Sequence, residues 1–497
     1  MTTIDTMNRP PTRIWARTVF VHPQWLRGLA LIGVVSAALW LRLHDLAARP
    51  MHADEANQAA RLGQLLETGR YAFDPREHHG PTLYYFGLVP ARFRGEATLA
   101  ALTETTVRLT PALFGAASVL LLFLLARPLG PASALAAGAL LALSPPAVYY
   151  SRYFVQETLL VTFTLAALVC GDRWWKSGGL AWAIGAGVCV GLMQATKATA
   201  PVFVVAALAA ALIAGPRGRL DERVRDWKSL AAALGAAALV CGAFYSSFGS
   251  HWGGLRDALA TYAPMLNKAV GGGTGHEKPW WYYGSLFVFR SRGGYVWDQT
   301  IFLLLAGAGA VVAARRPDRF GRFTAAYTLI VAAVLSLTPY KTPWLVINLV
   351  PGLCLLAGVA LSRLRARIAV PLTLIVIGWL GWQTRQAVFL RPADPRNPYA
   401  YVQAVPDMLK VPALAAAAPP GPIKVISEEY WPLPWYLRTR KEVGYWTYPP
   451  VDCDGALVFA SADLADAVRA RLRGRYQESS LGLRPGFVLV VFTPVEG

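Results

Sequence analysis

Charged side chains are scarce in this sequence. Only 15% of its 497 residues are Asp, Glu, Lys or Arg, whereas soluble domains carry about 25%. Hydrophobic residues make up 55% of the chain, and the mean hydropathy is +0.38. Several apolar runs reach about 18 residues or more, which is enough to cross a bilayer as a helix. The shortage of charge therefore excludes an ordinary soluble protein and predicts a polytopic membrane protein.

Cysteine is also scarce, and the five cysteines follow no metal-binding or disulfide pattern. Cys170, Cys189, Cys241 and Cys354 lie in apolar runs, and Cys453 lies in the C-terminal segment. This placement is typical of small buried side chains and argues against a zinc site or a disulfide framework. The sequence also lacks a phosphate-loop motif, so nothing in it indicates nucleotide hydrolysis.

The net charge of +19 invites a nucleic-acid interpretation, but its distribution argues against one. From Leu390 onward there are 12 basic and 11 acidic residues, a net charge of +1. The surplus therefore belongs to the apolar part of the chain, where Lys and Arg gather in short loops between hydrophobic runs. This pattern is typical of membrane topology, and we expect no nucleic-acid partner.

About eleven apolar runs predict transmembrane helices. Their approximate bounds are 26–43, 107–127, 131–149, 156–172, 178–196, 199–215, 229–249, 298–314, 322–338, 344–361 and 368–388. Arg13, Arg17 and Arg27 precede the first run, and no small-residue cleavage site follows it, which predicts an uncleaved signal anchor. Basic residues on alternate loops place the N-terminus inside and the C-terminal segment outside. The two long connections, at about 44–106 and 250–297, then fall on the outer face.

Residues 390–497 predict a separate soluble α/β unit on that outer face. Three apolar runs within it are typical of buried strands: 423–427, 456–460 and 487–492. Residues 462–472 predict a helix with Ser461 as its N-cap. The proline-rich segment 431–436 predicts a loop or a short helix that faces the membrane surface.

Two adjacent acids, Asp54 and Glu55, follow the first apolar run. Carboxylates at a membrane edge lose hydration, so they are usually retained for function, although a solvated loop or a helix cap is the alternative. Glu157 lies in the next outer connection, at the start of the fourth run. It either interacts with the helix dipole or adds a second carboxylate to the same site.

Four basic residues lie in outer connections, where the positive-inside rule does not place them: Arg152, Lys197, Lys278 and Lys341. Lys197 and Lys341 lie in very short connections, tight against the bilayer, and each is next to a threonine. Such cations suit an anionic group such as a lipid phosphate. Snorkelling of the side chain to the interface is the alternative for each of them.

The second long connection carries an aromatic stretch, His-Glu-Lys-Pro-Trp-Trp-Tyr-Tyr at 276–283, after a glycine-rich segment at 271–275. These aromatic residues are typical either of an interfacial belt or of a surface that stacks on sugar rings. The glycines predict a mobile loop that could close over a substrate. All histidines except His22 fall on this side of the membrane, so a divalent cation (Mg or Mn) is an open expectation, although their spacing matches no compact ligand motif.

Five segments in this order resemble the GT-C superfamily of membrane glycosyltransferases, on the branch of protein O-mannosyltransferases and aminoarabinose transferases. Within that branch they are similar to a prokaryotic subgroup of flippase-activity-associated, mannosyltransferase-like proteins. The segments are His52-Ala-Asp54-Glu55-Ala56, His79-Gly-Pro-Thr-Leu-Tyr84-Tyr85, Arg152-Tyr153-Phe-Val-Gln-Glu157, His276-Glu277-Lys-Pro-Trp-Trp-Tyr-Tyr283 and Lys341-Thr-Pro-Trp344. The resemblance covers most of the chain, including its C-terminal unit.

The resemblance implies a GT-C-like catalytic domain of about eleven transmembrane helices over 1–389, followed by a small soluble α/β domain over 390–497. It further implies a sugar carried on a polyprenyl phosphate and transferred to an acceptor hydroxyl on the outer face of a bacterial or archaeal cell membrane. The expected partners are this lipid-linked sugar, membrane lipid, and an acceptor protein or glycan. One base and one displacement predict inversion of the anomeric carbon, because retention requires a carboxylate nucleophile as well.

The resemblance also implies roles for single residues. Asp54 is the expected catalytic base, Glu157 is the second acid, and Glu55 orients Asp54 or binds a metal. The donor phosphate is expected to contact Arg152, Lys197, Lys278 and Lys341. Substrate contacts are expected from His52, His79, Tyr84, Tyr85, Tyr153, His276, Glu277, Trp280, Trp281 and Tyr282, and a metal from Asp54, Glu157 and His79. Ala198 stands where this subgroup has an acid, so no acidic role carries over there.

Two other functions stay open. A transporter or flippase for a lipid-linked sugar would use the same basic residues, but its acids would usually lie within spans near the midplane. A non-catalytic accessory subunit would use the C-terminal unit for binding. The acids cluster on one face and the sequence shows no clear inverted repeat, which favours the enzyme.

Overall fold

The computed structural model describes residues 24–75, 79–270, 275–315 and 318–495. Its helices are α1 (Gln24–Leu43), α2 (Ala53–Thr68), α3 (Thr82–Phe93), α4 (Glu104–Ala126), α5 (Pro131–Leu143), α6 (Pro145–Tyr150), α7 (Glu157–Ser177), α8 (Leu180–Thr196), α9 (Ala200–Ala214), α10 (Arg217–Arg225), α11 (Trp227–Tyr245), α12 (Gly253–Ala260), α13 (Tyr262–Ala269), α14 (Tyr282–Ser285), α15 (Thr300–Ala314), α16 (Arg319–Leu337), α17 (Val350–Leu361), α18 (Ala366–Arg385), α19 (Val411–Ala417), α20 (Leu433–Tyr436) and α21 (Ala465–Arg469). Its strands are β1 (Arg290–Arg292), β2 (Tyr295–Trp297), β3 (Ile423–Ile426), β4 (Val443–Trp446), β5 (Leu457–Ser461), β6 (Tyr476–Arg484) and β7 (Phe487–Pro494). Short 3-10 turns cover Leu99–Ala101, Arg127–Leu129, Pro343–Asn348 and Pro406–Lys410, and a π turn covers Gln386–Leu390.

Each predicted span falls on a helical segment of this structure. Five segments are long and apolar enough to cross a membrane: Trp25–Leu43, Glu104–Leu129, Trp227–Tyr245, Arg319–Leu337 and Ala366–Leu390. The apolar helices α5, α8, α9, α15 and α17 are shorter. The chain is therefore a helical membrane protein, and the number of about eleven crossings stays a prediction. The start of the predicted signal anchor, with Arg13 and Arg17, lies outside the described residues.

Proline interrupts two of the predicted spans. The run at 131–149 is divided into α5 and α6 at Ser144, because the following prolines, Pro145 and Pro146, cannot donate backbone hydrogen bonds to the preceding turn. The run at 344–361 begins as the Pro343–Asn348 turn and becomes α-helical only at Val350.

Small residues bring the apolar helices close together. A Cβ on Gly187 of α8 would overlap the backbone of Ala233 in α11, and Gly309 of α15 faces the carbonyl of Leu356 in α17 in the same way. In lipid the hydrophobic effect does not drive helices together, so such close backbone contact stabilises the bundle through van der Waals packing.

The C-terminal unit contains a five-stranded mixed sheet in the order β4-β3-β5-β7-β6. Strand β3 is parallel to β4 and β5, whereas β7 is antiparallel to β5 and β6. The three predicted strands are confirmed as β3, β5 and β7. The sequence analysis missed β4 and β6, which are the two edges of the sheet; residues 477–480 of β6 are all exposed, so this strand has no continuous apolar run.

The predicted helix over 462–472 is present only as the shorter α21. Its predicted N-cap is wrong, because Ser461 is the last residue of β5 and pairs with Leu489 of β7. The amide of Ala462 donates to the carbonyl of Val488, so the sheet continues past the position where a helix would begin.

The short helix predicted near 431–436 is confirmed as α20, and it packs against the helical bundle. The Met51 amide donates to the Tyr436 hydroxyl at 2.8 Å, and the Trp435 indole donates to Glu104 Oε1 at 2.6 Å. These contacts join the C-terminal unit to one end of the bundle. We call this end the loop face; in the described part of the chain it consists of the connections 44–75, 79–103, 151–156, 197–199, 246–270, 275–299 and 338–342.

Candidate active site

The predicted acid pair lies at the N-terminus of α2, where His52 forms the N-cap. The amide of Asp54 donates to His52 Nδ1 at 3.0 Å, and the amide of His52 donates to Glu55 Oε2 at 3.1 Å. These reciprocal bonds form a capping box with histidine in the place of the usual serine or threonine. The cap fixes the backbone of the residues for which the sequence predicts chemistry.

Glu55 is fully buried and surrounded by donors. Its carboxylate accepts from Arg49 Nη2 at 2.8 Å, from Arg108 Nε and Nη2 at 2.9 Å each, and from the amides of His52 and Phe154. Burial by itself would raise the pKa of Glu55, but the charges of Arg108 and Arg49 and these hydrogen bonds outweigh burial and hold the pKa at about 2.

Glu55 holds the turn at the start of α2. A carboxylate offers about four lone-pair positions, and the five donors around Glu55 occupy them. This arrangement favours the predicted orienting role over the predicted metal ligand, and both roles stay predictions. The sequence analysis missed Arg49 and Arg108; an arginine inside the predicted span at 107–127 was a usable signal, since charges within spans usually have a specific partner.

Asp54, the adjacent residue, has a different environment. Its side chain is 50% exposed, and its Oδ2 lies 3.9 Å from His52 Nδ1, too far for a hydrogen bond. A carboxylate that is fixed at a helix N-terminus but still accessible can accept a proton from a bound molecule.

Glu157 and Lys197 form a buried ion pair on the same face. Glu157 is the first residue of α7, Lys197 is the C-cap of α8, and Nζ contacts Oε1. The predicted second acid is thus present at the predicted helix end, but it is neutralised by a predicted phosphate ligand.

The segment around Gly80 packs against the end of α8 beside this ion pair. The Gly80 amide donates to the Thr196 carbonyl at 3.1 Å, and the hydroxyls of Thr82 and Thr196 are 2.7 Å apart. A Cβ at Gly80 would overlap the Ala195 carbonyl oxygen, so only glycine allows this approach. The connection that follows α2 therefore sets the position of Lys197.

Tyr340 links the two carboxylates electrostatically. Burial, and after it the charges of Asp54 and Glu157, raise the pKa of Tyr340 to about 12. The charges of both acids therefore act on one phenol, although about a hundred residues separate the two acids in the chain. The sequence analysis did not select Tyr340, which is the residue before the predicted ligand Lys341.

The aromatic loop pairs with the segment that contains Lys341. The Lys341 amide donates to the His276 carbonyl at 3.0 Å, the Lys278 amide donates to the Pro339 carbonyl at 3.1 Å, and Glu277 forms an antiparallel bridge with Tyr340. The ammonium of Lys341 donates to the carbonyls of Lys278 and Thr338, and burial lowers its pKa. Two predicted phosphate ligands from distant parts of the chain are thus brought together.

His52 and His276 meet at Tyr401, which comes from the chain between α18 and the sheet. His52 Nε2 lies 3.1 Å from the Tyr401 carbonyl oxygen, and His276 Nδ1 lies 2.7 Å from the Tyr401 hydroxyl. Two of the three histidines predicted to contact substrate, His52 and His276, therefore lie at the same residue. Tyr401 was missed because no local motif marks it.

Arg152 holds the backbone at the end of α1. Its guanidinium is buried and donates to the backbone carbonyls of Leu41, Arg42, His44 and Asp45. Burial lowers the pKa of Arg152 to about 9, with a further contribution from the positive charges of Arg49 and Arg108. The donors of Arg152 therefore hold the end of α1, and binding of the donor phosphate by Arg152 stays a prediction.

The predicted tyrosines belong to the framework of the site. Tyr84 is fully buried with its hydroxyl on Gln58, and Tyr153 is buried with its hydroxyl on Gln403. Tyr85 is less buried, and its hydroxyl bonds Ser247 at 2.6 Å. The hydroxyls of Tyr84 and Tyr153 face protein groups, so direct substrate contact by either tyrosine stays a prediction.

The remaining predicted contacts have accessible surface. Trp280 and Trp281 are 67% and 56% exposed, His79 is exposed, and Tyr282 is half-buried. Trp280 and Trp281 lie next to Lys278, on the loop that pairs with the Lys341 segment. His78 and the glycines at 271–274 lie outside the described residues, so the predicted mobility of that loop stays a prediction.

No group of three or more His, Cys, Asp or Glu side chains lies close enough to hold a metal ion in the described ranges. Glu157 pairs with a lysine, which competes with any cation for the same oxygens. The candidate ligands Asp54, Glu157 and His79 therefore do not form a metal site by themselves, and a divalent cation stays a prediction.

Comparisons with known proteins agree with this architecture. The sequence model of the dolichyl-phosphate-mannose-protein mannosyltransferase family matches residues 91–244, which is less than half of the chain. No curated protein matches the sequence.

Solved structures match nearly the whole chain. ArnT from Cupriavidus metallidurans in the apo state has a TM-score of 0.67 and 14% identity, with 94% of this chain and 98% of that chain covered. ArnT bound to undecaprenyl phosphate has a TM-score of 0.64 and 15% identity, with 93% and 97% covered. The archaeal oligosaccharyltransferase AglB from Archaeoglobus fulgidus, in complex with an inhibitory peptide and a dolichol-phosphate, has a TM-score of 0.53 and 14% identity, with 84% and 63% covered.

At these identities the structural matches show the fold. They confirm the predicted GT-C-like helical fold, and together with the family match over residues 91–244 they confirm the predicted resemblance to this group of membrane glycosyltransferases.

Proposed function

We propose that this protein is a membrane glycosyltransferase that moves a sugar from a polyprenyl-phosphate-linked donor to an acceptor hydroxyl. The proposed reaction takes place on the outer face of a bacterial or archaeal cell membrane, with the N-terminus in the cytoplasm and the C-terminal unit outside. The observation that carries the proposal is the accessible carboxylate of Asp54 on a rigid helix cap, within electrostatic reach of the Glu157 side of the site.

In the proposed step the acceptor oxygen attacks the anomeric carbon of the donor. Asp54 accepts the proton of the acceptor hydroxyl, the bond between the anomeric carbon and the phosphate oxygen breaks, and polyprenyl phosphate leaves with the electron pair. A single displacement of this kind inverts the anomeric configuration.

The charge on the leaving phosphate is balanced by cations of the same face. Lys341 and Lys278 are the first candidates, because neither ammonium has a carboxylate partner within ion-pair distance in the described part of the chain. Lys197 is already paired with Glu157, so its proposed contribution is to neutralise the charge of the Glu157 carboxylate. The exposed Trp280 and Trp281 suit the apolar faces of a sugar ring.

Replacing Asp54 tests this assignment. Asp54→Asn keeps the size of the side chain and removes its basicity, so we expect transfer to fall by about 10²–10⁴-fold. The assay is release of polyprenyl phosphate from a polyprenyl-phosphate sugar by purified protein, with NMR of the product to read its anomeric configuration.

Asp463→Asn is the matched control, because Asp463 is an exposed carboxylate of the C-terminal unit. Full transfer by Asp54→Asn would contradict the role of Asp54. Movement of the lipid across liposomes without cleavage would favour a transporter. A wild-type protein that neither cleaves nor moves the lipid would favour an accessory subunit.

A further inference from the structure

The linker that connects the helical bundle to the sheet, residues 397–405, crosses the candidate active site. Near its start, Asn397 Nδ2 donates to the Ala387 carbonyl at 2.9 Å. Near its end, Gln403 Nε2 donates to the Pro50 carbonyl at 3.0 Å. Asn397 and Gln403 are both buried, so the path of the linker is fixed by the helical bundle on both sides of Tyr401.

Val402 in this linker has an unusual backbone conformation. Its φ is +48°, in the left-handed region that β-branched residues rarely adopt because of the clash between Cβ and the backbone. The side chain is 41% exposed, so burial of the valine does not offset the strain. Strain of this kind persists where the surrounding contacts require the conformation, and it is most frequent at functional sites.

The residue before this strained turn contacts three parts of the site. Besides the bonds from its carbonyl to His52 and from its hydroxyl to His276, the ring centroid of Tyr401 lies 6.1 Å from that of Trp344. The ammonium of Lys278 lies 5.9 Å from the same centroid. The start of α2, the aromatic loop and the turn after Lys341 therefore all meet at one residue, Tyr401.

The carbonyl of Tyr401 also selects the tautomer of His52. The Asp54 amide can only donate, so His52 Nδ1 accepts, and the ring proton lies on Nε2, where it bonds the carbonyl of Tyr401. This assignment follows from the two partners, each of which allows one role only. A histidine held at both nitrogens fixes the cap of the helix that carries Asp54.

We propose that Tyr401, held by the left-handed turn at Val402, is a positioning residue of the active site. Its carbonyl sets His52 and thereby Asp54, and its hydroxyl sets the loop that carries His276 and Lys278. The linker to the C-terminal unit thus assembles the site from two sides. The kinetic part of this inference rests on the proposed function, whereas the structural part does not.

The first test removes only the hydroxyl. In Tyr401→Phe the carbonyl bond to His52 remains and the bond to His276 is lost. We expect hydrogen exchange in full-length protein to become about tenfold faster over 276–283 and 338–344, a change that corresponds to one hydrogen bond, with the strands at 457–461 and 487–494 unchanged. Tyr448→Phe is the matched control, since this exposed tyrosine lies in the same unit.

The second test changes the turn. Val402→Pro excludes a positive φ, whereas Val402→Asn tolerates one. We expect faster exchange over 52–58 as well as 276–283 in the proline variant and wild-type exchange in the asparagine variant. Wild-type exchange at both segments in Tyr401→Phe and Val402→Pro would overturn the proposal. If the proline variant does not fold, the comparison of Tyr401→Phe with Tyr448→Phe decides.

The kinetic test uses a polyprenyl-phosphate sugar as donor. Since the loop carries Lys278, we expect Tyr401→Phe to raise the donor KM several-fold while kcat stays within about twofold, a split that general destabilisation does not produce. A parallel loss of kcat and thermal stability would contradict a positioning role. A wild-type protein without transfer would contradict the proposed function alone, because the exchange experiment tests Tyr401 without any donor.

Discussion

Asp54 and Glu55 are neighbours in the chain and lie in opposite environments. Glu55 is fully buried and accepts five hydrogen bonds, two of them from a single arginine, whereas the carboxylate of Asp54 is half exposed and lies 3.9 Å from His52 Nδ1. Both are acids in the same capping motif. The difference teaches that Glu55, whose lone pairs are all used in hydrogen bonds, stabilises the structure. Asp54 is accessible for reaction at a fixed position, because Glu55 fixes the turn that carries it.

The same contrast separates the basic residues of the loop face. Arg152 donates to four backbone carbonyls and is committed to the end of α1. Lys278 has its ammonium near the Tyr401 ring and belongs to the exposed aromatic loop. A planar guanidinium with five donors can bind several carbonyls at once, whereas an ammonium is a compact charge that suits a phosphate equally well. The arginine at position 152 thus suits a structural role, and the lysine at position 278 suits the binding of a ligand.

The largest effect is expected from removing the charge of Glu55. Glu55→Gln leaves Arg49 and Arg108 buried without a counter-charge, and breaking such a buried cluster costs about 3–5 kcal/mol of unfolding free energy. Thermal unfolding in detergent measures the change. Asp54→Asn is the matched control, since an accessible side chain changes stability by about 0.5 kcal/mol or less. Equal stability of the two variants would remove the contrast between the two acids.

A second effect is expected from low pH. The folded-state pKa of Glu55, about 2, lies below its ordinary value of 4.5, so Glu55 stabilises the fold fully above pH 4.5. This contribution, roughly 3 kcal/mol, is lost progressively as the pH falls from 4.5 towards 2. The measurement is the unfolding midpoint as a function of pH, compared between wild type and Glu55→Gln. The variant should lack most of the slope in this window, and an identical slope would show that another group is responsible.

A smaller effect is expected at Gly80, on the other side of the site. Gly80→Ala places a Cβ against the Ala195 carbonyl, and overpacking of this kind costs about 1–3 kcal/mol. Because Gly80 packs on the end of α8, we also expect the Glu157–Lys197 pair to shift and the donor KM to rise. Gly235→Ala in α11 is the control, because a Cβ there meets no atom within 4 Å and the φ of Gly235 is not positive. A loss of stability without any change in the donor KM would show that the packing of Gly80 does not determine the position of Lys197.

Local sequence signals predicted the elements of the fold well where the signal was continuous. Long apolar runs predicted the membrane helices. Strands β3 and β5 were found because they are buried on both faces, and β7 was found because its apolar run is continuous. The edge strands β4 and β6 were missed, since a half-exposed edge has no such run. The predicted cap at Ser461 failed because strand pairing with β7 extends one residue further than the apolar pattern does.

The candidate site was predicted in part. Asp54, Glu157, Lys197, Lys278 and Lys341 do lie on one face, and membrane topology alone was enough to bring them there. Topology did not distinguish Arg152 from these residues. The contacts of Arg152 are made to carbonyls at the end of α1, about a hundred residues earlier in the chain, and no local pattern indicates them. The sequence analysis missed Tyr401 and Tyr340 for the same reason, because their partners come from distant segments of the chain.

The sequence by itself determined the membrane bundle, the face on which the acids and lysines gather, and the family resemblance, because hydrophobic length and short motifs are local properties. Only the tertiary structure decided that Glu55 is buried and fully hydrogen-bonded while the adjacent Asp54 is accessible. It also decided that Tyr401, a residue of the linker, contacts both His52 and His276. The physical reason is that burial and hydrogen-bond saturation are properties of surroundings, and the surroundings of this site come from segments up to several hundred residues apart.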